Sequence, residues 1–557
     1  MTQRRVKAAR QQHQSLRFIS LLVTTIIFSL SLRSDSFLIF ANAFQIQASV
    51  SVPQQQLSTT SLHDDDANKI ETLVKEKLHR IATGYQLIHG EKMRRTFDME
   101  LELCQKIEKC FMGDAIGGRD GTAAPNHNLL LSAKLKEKRR RLEECLAVND
   151  CVVRQLLATE TGTGGQSTSS PSPSSLFHHV DFIPSAAAGG STGDYDDLGQ
   201  LMGNGGLIEG GDTNKETDGY DTALQVIHHT ARDWTLGAAP CREETILWIV
   251  RAIVQYYTPQ HHDAGSSNDG YDHCHLRVLI PGAGLGRLAY EVSTCRGLIE
   301  KGVEPCVEAN DSSVTMIFAA QNVINMLQQQ KEQQQEQEDD NWQLLQSNIY
   351  PFLSDPQVNE IDARKRFEME VFPDEHAINS YKHYHDLTGT HPNLSFTIGD
   401  FVSTYSQQSK QNQYDVVATS FFIDTATNIY EYIYIMKHVL DTNGIWVNCG
   451  PVQWHPCALL RPTVEQLKDM LQMAGFELIS WSIADEIVAY RHPDDVGGTG
   501  LEARYTRSEA YRPLRFVARL ISTNQDDGNG YDNEDFSVKI QYSEFLNEVA
   551  NGKIEVN

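Results

Sequence analysis

The sequence predicts an α/β fold, a parallel sheet wrapped by helices, preceded by an N-terminal helical region. Three observations carry this. From residue 217 onward, short apolar runs alternate with helical stretches, the pattern of strands joined by crossover helices. One run, Val278-Leu279-Ile280, passes straight into a Gly-rich turn and then a helix. Residues 67–160 place apolar side chains at helical spacing, as in Ile70-Leu73-Val74-Leu78-Ile81 and Met99-Leu101-Cys104-Ile107.

Taken in order, residues 1–43 carry six basic residues against one acid, Asp35. An uncharged run, Phe18 to Leu32, is followed by Ala41-Asn42-Ala43. That is the build of a removable targeting segment, for the secretory route or a plastid, with a signal anchor as the alternative. Residues 44–66 read as a disordered linker, and 67–160 as helices. The run Lys134 to Glu144 mixes charge signs and reads as a solvated face. Residues 161–216, rich in Gly and Ser, read as a linker. The remaining domain spans 217–522. Its expected strands are 277–280, 306–308, 395–398, 414–419 and 445–448, and its helices 288–299, 314–327 and 429–440. A Gln/Glu-rich insert, 328–340, interrupts it, and an acidic tail, 523–557, follows.

The net charge of −25 disfavours a binder of nucleic-acid backbone, which needs basic patches to displace counterions. Ten cysteines include no C-x-x-C pair, so zinc ribbons and thioredoxin-type sites are not indicated. Cys104/Cys110 and Cys145/Cys151 share a six-residue spacing that puts neither pair on one helix face, and free buried thiols are expected. His261, His262, His273 and His275 flank a polar loop without a ligand pattern, so no metal is expected.

The loop Gly282-Ala283-Gly284-Leu285-Gly286 supplies tight backbone turns and a helix N-terminus for a ligand. Its G-x-G-x-G spacing is tighter than the dinucleotide fingerprint and suits S-adenosylmethionine, which has no pyrophosphate. Asp311, beyond the second strand, is placed to bind ribose hydroxyls, with Glu308 as the alternate. Gly399-Asp400-Phe401 offers an acid and an aromatic ring for adenine. The run 414–419 opens into Ser420-Phe421-Phe422-Ile423-Asp424, putting Asp424 on the same rim.

Several stretches together resemble the carnosine N-methyltransferase family: Arg232-Asp233-Trp234, PGAGLGRLAYE (281–291), AND (309–311), IYPF (349–352), FPD (372–374), GDF (399–401), YDVVATSFFIDTATN (414–428) and GIWVNCGPVQWH (444–455). The resemblance covers about 217–520 and, less distinctively, 67–158. It implies a Rossmann-like class I methyltransferase fold and transfer of methyl from S-adenosylmethionine to the imidazole of carnosine or a similar histidine-containing dipeptide. It implies cofactor contacts from His229, Arg232, Gly282, Gly284, Asp311, Asp400, Phe401 and Ser420. Substrate contacts would come from Asp424, His455 and Tyr511, with Asp424 as the catalytic residue. His229 stands where the family has Gln, Asp311 where it has Glu, Ser420 where it has Cys, and Thr427 where it has His. The expected partner is a small histidine-containing molecule. No nucleic acid and no stable membrane association after presequence removal are expected, and a homodimer is one expected assembly. By resemblance alone the compartment would be cytosol or nucleus. A nicotinamide-dependent oxidoreductase, a non-catalytic scaffold and another imidazole or protein-histidine acceptor stay open as alternatives.

Overall fold

The computed structural model describes residues 64–112, 131–158, 180–182, 222–257, 274–332, 346–354, 360–495 and 510–521. These belong to one compact unit, Ser61–Ala188 with Gly193–Thr523. The leading segment 1–43, the stretch 44–63, most of 161–216, part of the insert and the acidic tail lie outside the described residues. No described helix is long and apolar enough to cross a membrane.

The N-terminal region is helical, as its periodicity requires: α1 Asp64–Gly84, a π-helical turn Tyr85–Gly90, α2 Glu91–Met112 and α3 Leu131–Leu156. Helix α1 begins inside the end of the stretch read as linker. In α3 the buried residues Leu135, Leu142, Cys145, Leu146, Val152, Val153 and Leu156 recur every three or four positions and form one face. The charged run on α3 is a solvated face: Arg140 pairs with Glu137 and Glu144, and Arg139 reaches Asp98 of α2. Of the four cysteines here, Cys145 is buried and Cys104 half-buried, whereas Cys110 and Cys151 are exposed; all four are free. The expectation of burial fails for the second member of each pair, because six residues turn it to another face.

Asn149 of α3, 1% exposed, stitches this region to the domain that follows. Its amide donates to the Tyr350 carbonyl at 2.9 Å and to the Tyr85 hydroxyl at 3.0 Å, while its oxygen accepts the Tyr350 N–H at 2.8 Å. Asn149→Ala removes the partners of the half-buried Tyr350 backbone groups. It should cost about 1–3 kcal/mol in urea unfolding.

The elements that follow are, in order, β1 Val180–Phe182, α4 Ala223–Trp234, α5 Ala239–Glu244, α6 Ile246–Tyr256, β2 Cys274–Pro281, α7 Arg287–Ser293, α8 Arg296–Ile299, β3 Val303–Asp311, α9 Val314–Glu332, β4 Ser347–Ile349, β5 Glu370–Phe372, α10 Glu375–Thr388, β6 Leu394–Ile398, α11 Phe401–Tyr405, β7 Tyr414–Ser420, α12 Ile429–Val439, β8 Leu440–Gly450, α13 Val464–Met473, β9 Phe476–Ile483 and β10 Leu514–Leu520. The sheet order is β1-β6-β3-β2-β7-β8-β10-β9. Pairings from β1 to β8 are parallel, and β10 runs antiparallel between β8 and β9. β4 and β5 form a separate antiparallel hairpin. Two sequence expectations change. Strand β1 falls inside the stretch read as linker and adds an edge to β6. The helix expected over 288–299 breaks at Cys295 into α7 and α8.

The order in which strands are added reverses between β2 and β7. From β2 the chain moves outward through β3 and β6, then crosses back to β7 and β8. Parallel pairings Val278 with Val416 and Leu279 with Val417 carry the two strands forward in step. Their carboxyl ends, Pro281 and Ser420, therefore open one crevice, the place where ligands bind in such sheets.

Candidate active site

The glycine loop owes its shape to three left-handed residues, Gly282 (φ 63°), Gly284 (φ 55°) and Gly286 (φ 74°). A Cβ on Gly282 would sit 2.3 Å from the Phe422 ring, and one on Gly284 3.3 Å from Arg232 Nη2 and 3.5 Å from His229 Nδ1. The space beside Gly282 is thus taken by an aromatic ring of this chain, where the sequence suggested open access for a ligand. The loop is pinned beneath as well. The Gly284 N–H donates to Asp311 Oδ2 at 2.9 Å, the Ser313 N–H donates to Oδ1 at 2.8 Å, and the Ala283 N–H donates to the Asn310 carbonyl at 2.9 Å. Asp311 is 6% exposed at the end of β3.

Glu308, the alternate for Asp311, belongs elsewhere. It accepts from Tyr405 and Tyr414, both at 2.6 Å, from Thr397 at 2.9 Å and from Lys410 at 3.2 Å. Strand residues three apart face opposite sides of a sheet, so the two acids cannot share one ligand. Burial would raise the Glu308 carboxyl, but the two tyrosine hydroxyls and Lys410 outweigh it and hold it below the ordinary glutamate value.

Arg232 and His229 sit one turn apart on α4. The Arg232 guanidinium forks onto Asp233, with Nε to Oδ1 at 2.6 Å and Nη2 to Oδ2 at 3.0 Å. Its Nη1 donates to the Tyr490 hydroxyl at 2.6 Å, and it lies 5.0 Å from the Tyr490 ring centre. His229 is 3% exposed. Burial, reinforced by Arg232 and His228, pushes its pKa well below the usual 6.5, so it is neutral at neutral pH. Next to it, Trp234 Nε1 donates to the Leu285 carbonyl at 2.9 Å and locks α4 to the glycine loop.

Asp400 ends the β6 segment and caps α11, accepting from the Ser403 N–H and hydroxyl at 2.9 Å each; the residue is exposed. Phe401 is buried, with its ring 5.2 Å edge-to-face from Phe422. At the end of β7, Ser420 leads into Phe421, a non-glycine residue at φ 52°. That turn aims the chain toward Asp424. A Cβ on Gly450 would meet the Phe421 N at 2.7 Å, so only glycine there admits the turn.

Asp424 is 6% exposed. Its Oδ2 accepts the Gln453 N–H at 3.0 Å, and its backbone carbonyl accepts the His455 N–H at 3.0 Å. No other hydrogen bond reaches the carboxylate from a described side chain. Burial raises the Asp424 pKa above the usual 3.8, with the Gln453 amide and His455 working the other way. The neighbouring helix cap is Asn428, not Asp424. His455 is exposed on the loop after β8. Tyr511 pairs with Val488 in an isolated bridge, and its ring lies 6.1 Å from Phe421 and 6.4 Å from Tyr490.

One crevice is therefore lined by Gly282, Arg232, Ser420, Phe421 and Tyr490. Asp311 holds the glycine loop beneath it, Phe401 backs it through Phe422, Tyr511 reaches it through Phe421, and Asp424 lies three residues beyond Phe421 on the turn Ile423–Thr425. Sequence reasoning missed Tyr490, which lies 258 positions from Arg232 and carries no local signal. It also missed a buried charge cluster behind the crevice. Arg242 and Arg287 both bind Asp374, and Arg287 also binds Glu291 at 2.7 Å.

The donor set suits S-adenosylmethionine. A cation stands over Gly284 for a carboxylate, Asp311 lies at the second strand's end for hydroxyls, and Asp400 with Phe401 offers an acceptor and an aromatic neighbourhood for adenine. Among the described residues no group of His, Cys, Asp and Glu could hold a metal ion.

The family model for carnosine N-methyltransferase matches residues 211–487. A carnosine N-methyltransferase of Schizosaccharomyces pombe is 26% identical over 272 residues, 46% of this chain and 62% of that protein. The Drosophila melanogaster carnosine N-methyltransferase unmet is 25% identical over 384 residues, 67% of this chain and 68% of its own. The Mus musculus carnosine N-methyltransferase is 27% identical over 267 residues, 46% of this chain and 55% of its own. Among solved structures, a SAM dependent methyltransferase from Aquifex aeolicus is 10% identical at a TM-score of 0.26, covering 53% of this chain and 98% of that one, a likeness too weak to carry any argument. The match to the family model spans the glycine loop, Asp311, Asp400, Asp424 and His455, so it is residues 211–487, with the crevice in them, that match the carnosine N-methyltransferase family.

Proposed function

We propose that this protein methylates an imidazole nitrogen of carnosine or a similar histidine-containing dipeptide, using S-adenosylmethionine. The observation that carries this is the buried carboxylate of Asp424, on the turn Ile423–Thr425 that follows the crevice-lining Ser420 and Phe421 at the end of β7. Arg232, the Gly282–Gly284 loop, Asp311, Asp400, Phe401 and Ser420 would hold the cofactor, with His229 beside them. The bound cofactor supplies an activated methyl on a sulfonium.

A neutral imidazole has one N–H and one lone pair. With an ordinary pKa of about 6.5 it is largely nucleophilic at neutral pH, so the protein's task is choice of tautomer and alignment. Asp424 suits the first task. A carboxylate accepting the imidazole N–H leaves the other nitrogen's lone pair as the nucleophile. It also offsets the positive charge that grows on the ring, as a triad aspartate does for its histidine. Removal from water strengthens both effects. His455, whose N–H donates to the Asp424 carbonyl, and Tyr511, whose ring lies against Phe421, would orient the rest of the substrate.

The test is transfer of labelled methyl from S-adenosylmethionine by the full chain to a panel of carnosine, related dipeptides, free histidine and histidine-bearing peptides. Labelled product from carnosine or a near analogue is expected, and absence of product from all of them would overturn the reading. Gly284→Ala adds a Cβ at φ 55° within 3.3 Å of Arg232. It should weaken S-adenosylhomocysteine binding at least about 10-fold by calorimetry, while costing only about 1–2 kcal/mol of stability.

A further inference from the structure

The chain between β9 and β10 crosses the crevice as a strap, residues 488–495, fastened at both ends. At one end Val488 and Tyr511 exchange backbone hydrogen bonds of 2.9 Å in each direction. At the other, His492, 8% exposed, faces Glu370 of β5 with Nε2 to Oε1 at 3.3 Å. His492 Nδ1 accepts the Asp494 N–H at 3.1 Å, so Nε2 carries the proton and donates to Glu370. Glu370 Oε2 in turn accepts the Gly237 N–H at 3.2 Å, just beyond α4. Arg491 lies 4.9 Å over the Phe352 ring and pairs with Asp495 at 3.6 Å.

Between these fastenings stands Tyr490. Its hydroxyl takes Arg232 Nη1 at 2.6 Å. Its ring meets His229 edge-on at 6.3 Å, Phe421 at 5.1 Å and Tyr511 at 6.4 Å. It touches both Arg232, beside the glycine loop, and Phe421, at the turn after β7. Asp233 holds the Nε–Nη2 edge of Arg232, and the Tyr490 hydroxyl engages the Nη1 side of the same guanidinium.

We propose that Tyr490 is a positioning residue. Its hydroxyl holds the Arg232 guanidinium in the pose that receives the carboxylate of the cofactor's amino-acid end, and its ring forms a wall shared with the imidazole site. This rests on the methyltransferase reading of the crevice. The two functions are separable, because one belongs to the hydroxyl and the other to the ring.

The experiment compares the full-length protein with Tyr490→Phe and Tyr490→Leu. Tyr490→Phe removes one hydrogen bond to a charged group and should weaken S-adenosylhomocysteine binding about 10-fold or more by calorimetry. In labelled-methyl kinetics it should raise the KM for S-adenosylmethionine similarly and leave the KM for carnosine within about twofold. Tyr490→Leu should raise both, with Tyr490→Phe restoring the carnosine KM but not the cofactor KM. Equal S-adenosylhomocysteine affinity in wild type and Tyr490→Phe overturns the proposal. So does a carnosine KM that Tyr490→Leu leaves unchanged, or a loss in both variants that follows only a fall in melting temperature. If the wild type binds S-adenosylhomocysteine but methylates no imidazole, the acceptor reading fails, while the binding comparison still decides the role of the hydroxyl.

Discussion

Asp424→Asn should bind S-adenosylhomocysteine with near-wild-type affinity and lose about 10³–10⁴-fold in methyl transfer to an imidazole acceptor. The amide keeps an oxygen for the Gln453 N–H, so the loop after β8 stays in place. What it loses is charge. An amide cannot offset the growing imidazolium, and its NH₂ presents a donor where the imidazole also donates. The same variant should gain stability. Burial raises the Asp424 pKa in the folded protein, so the folded state binds its proton more tightly than the unfolded chain does. Stability then falls as pH rises through that window, because the ionised carboxylate is worse off buried. Asparagine carries no such penalty. Its melting temperature should exceed the wild type's at pH 7–8, and the gap should close below the ordinary aspartate pKa of about 3.9. A variant that turns over near normally, or whose melting temperature falls at neutral pH, contradicts this account of the carboxylate.

The largest stability loss should come from Asp374→Ala. Asp374 is 1% exposed, with Arg242 at 4% and Arg287 at 2%. Oδ2 accepts from Arg242 Nη2 and from Arg287 Nη1 at 3.1 Å, and Oδ1 accepts from Arg287 Nη2 at 3.2 Å and from the Ala377 N–H at 2.8 Å. One carboxylate thus separates two buried guanidiniums and caps α10. Burial, and then Arg287, lower the pKa of Arg242 to about 10, a sign of how strongly that site resists a second cation. Removing Asp374 leaves uncompensated buried charge, for which about 3–5 kcal/mol of lost stability is expected in denaturant unfolding. The effect should spread to the crevice, because Arg242 also donates to the Arg232 carbonyl at 2.8 Å and the Thr235 carbonyl at 2.7 Å. Weaker S-adenosylhomocysteine binding should accompany it. Glu291 sets the acid limit of the same cluster. Burial raises its pKa, but Arg287 and His376 more than reverse this and bring it to about 2. The stability it contributes is complete above the ordinary glutamate range and is lost as pH falls toward 2.

Much of this was legible in the chain itself because the informative features are local. The glycine loop joins a strand to a helix within a dozen residues, and its three positive φ angles are what that spacing calls for. Asp311 and Asp400 stand at strand ends, where period-2 runs stop. Asp424 follows β7 by four residues, so strand and turn together set its position. Other features had no local signature. Tyr490 meets Arg232 only because β9 and β10 return the chain over the crevice, and Asp374 meets Arg242 across 132 positions. Glu308 looked interchangeable with Asp311 on type and proximity, and strand alternation separated them. Strand β1 was hidden because three residues in a Gly/Ser-rich stretch carry no periodicity. The second cysteine of each pair lay exposed because spacing alone decides which face of a helix a residue takes.

The order of the last strands bears on how the protein is made. β9 is synthesised before β10 yet pairs with the rest of the sheet only through it, and β8 borders β10 on the other side. As the chain leaves the ribosome, β8 presents an open edge and β9 has no partner until Leu514–Leu520 emerges. Strand pairing at an exposed edge invites association with other chains. Closure of this part of the sheet therefore waits for β10. A premature stop before residue 511 forfeits Tyr511 and β10, and with β10 the docking of β9, so such truncated products should be substrates for quality control.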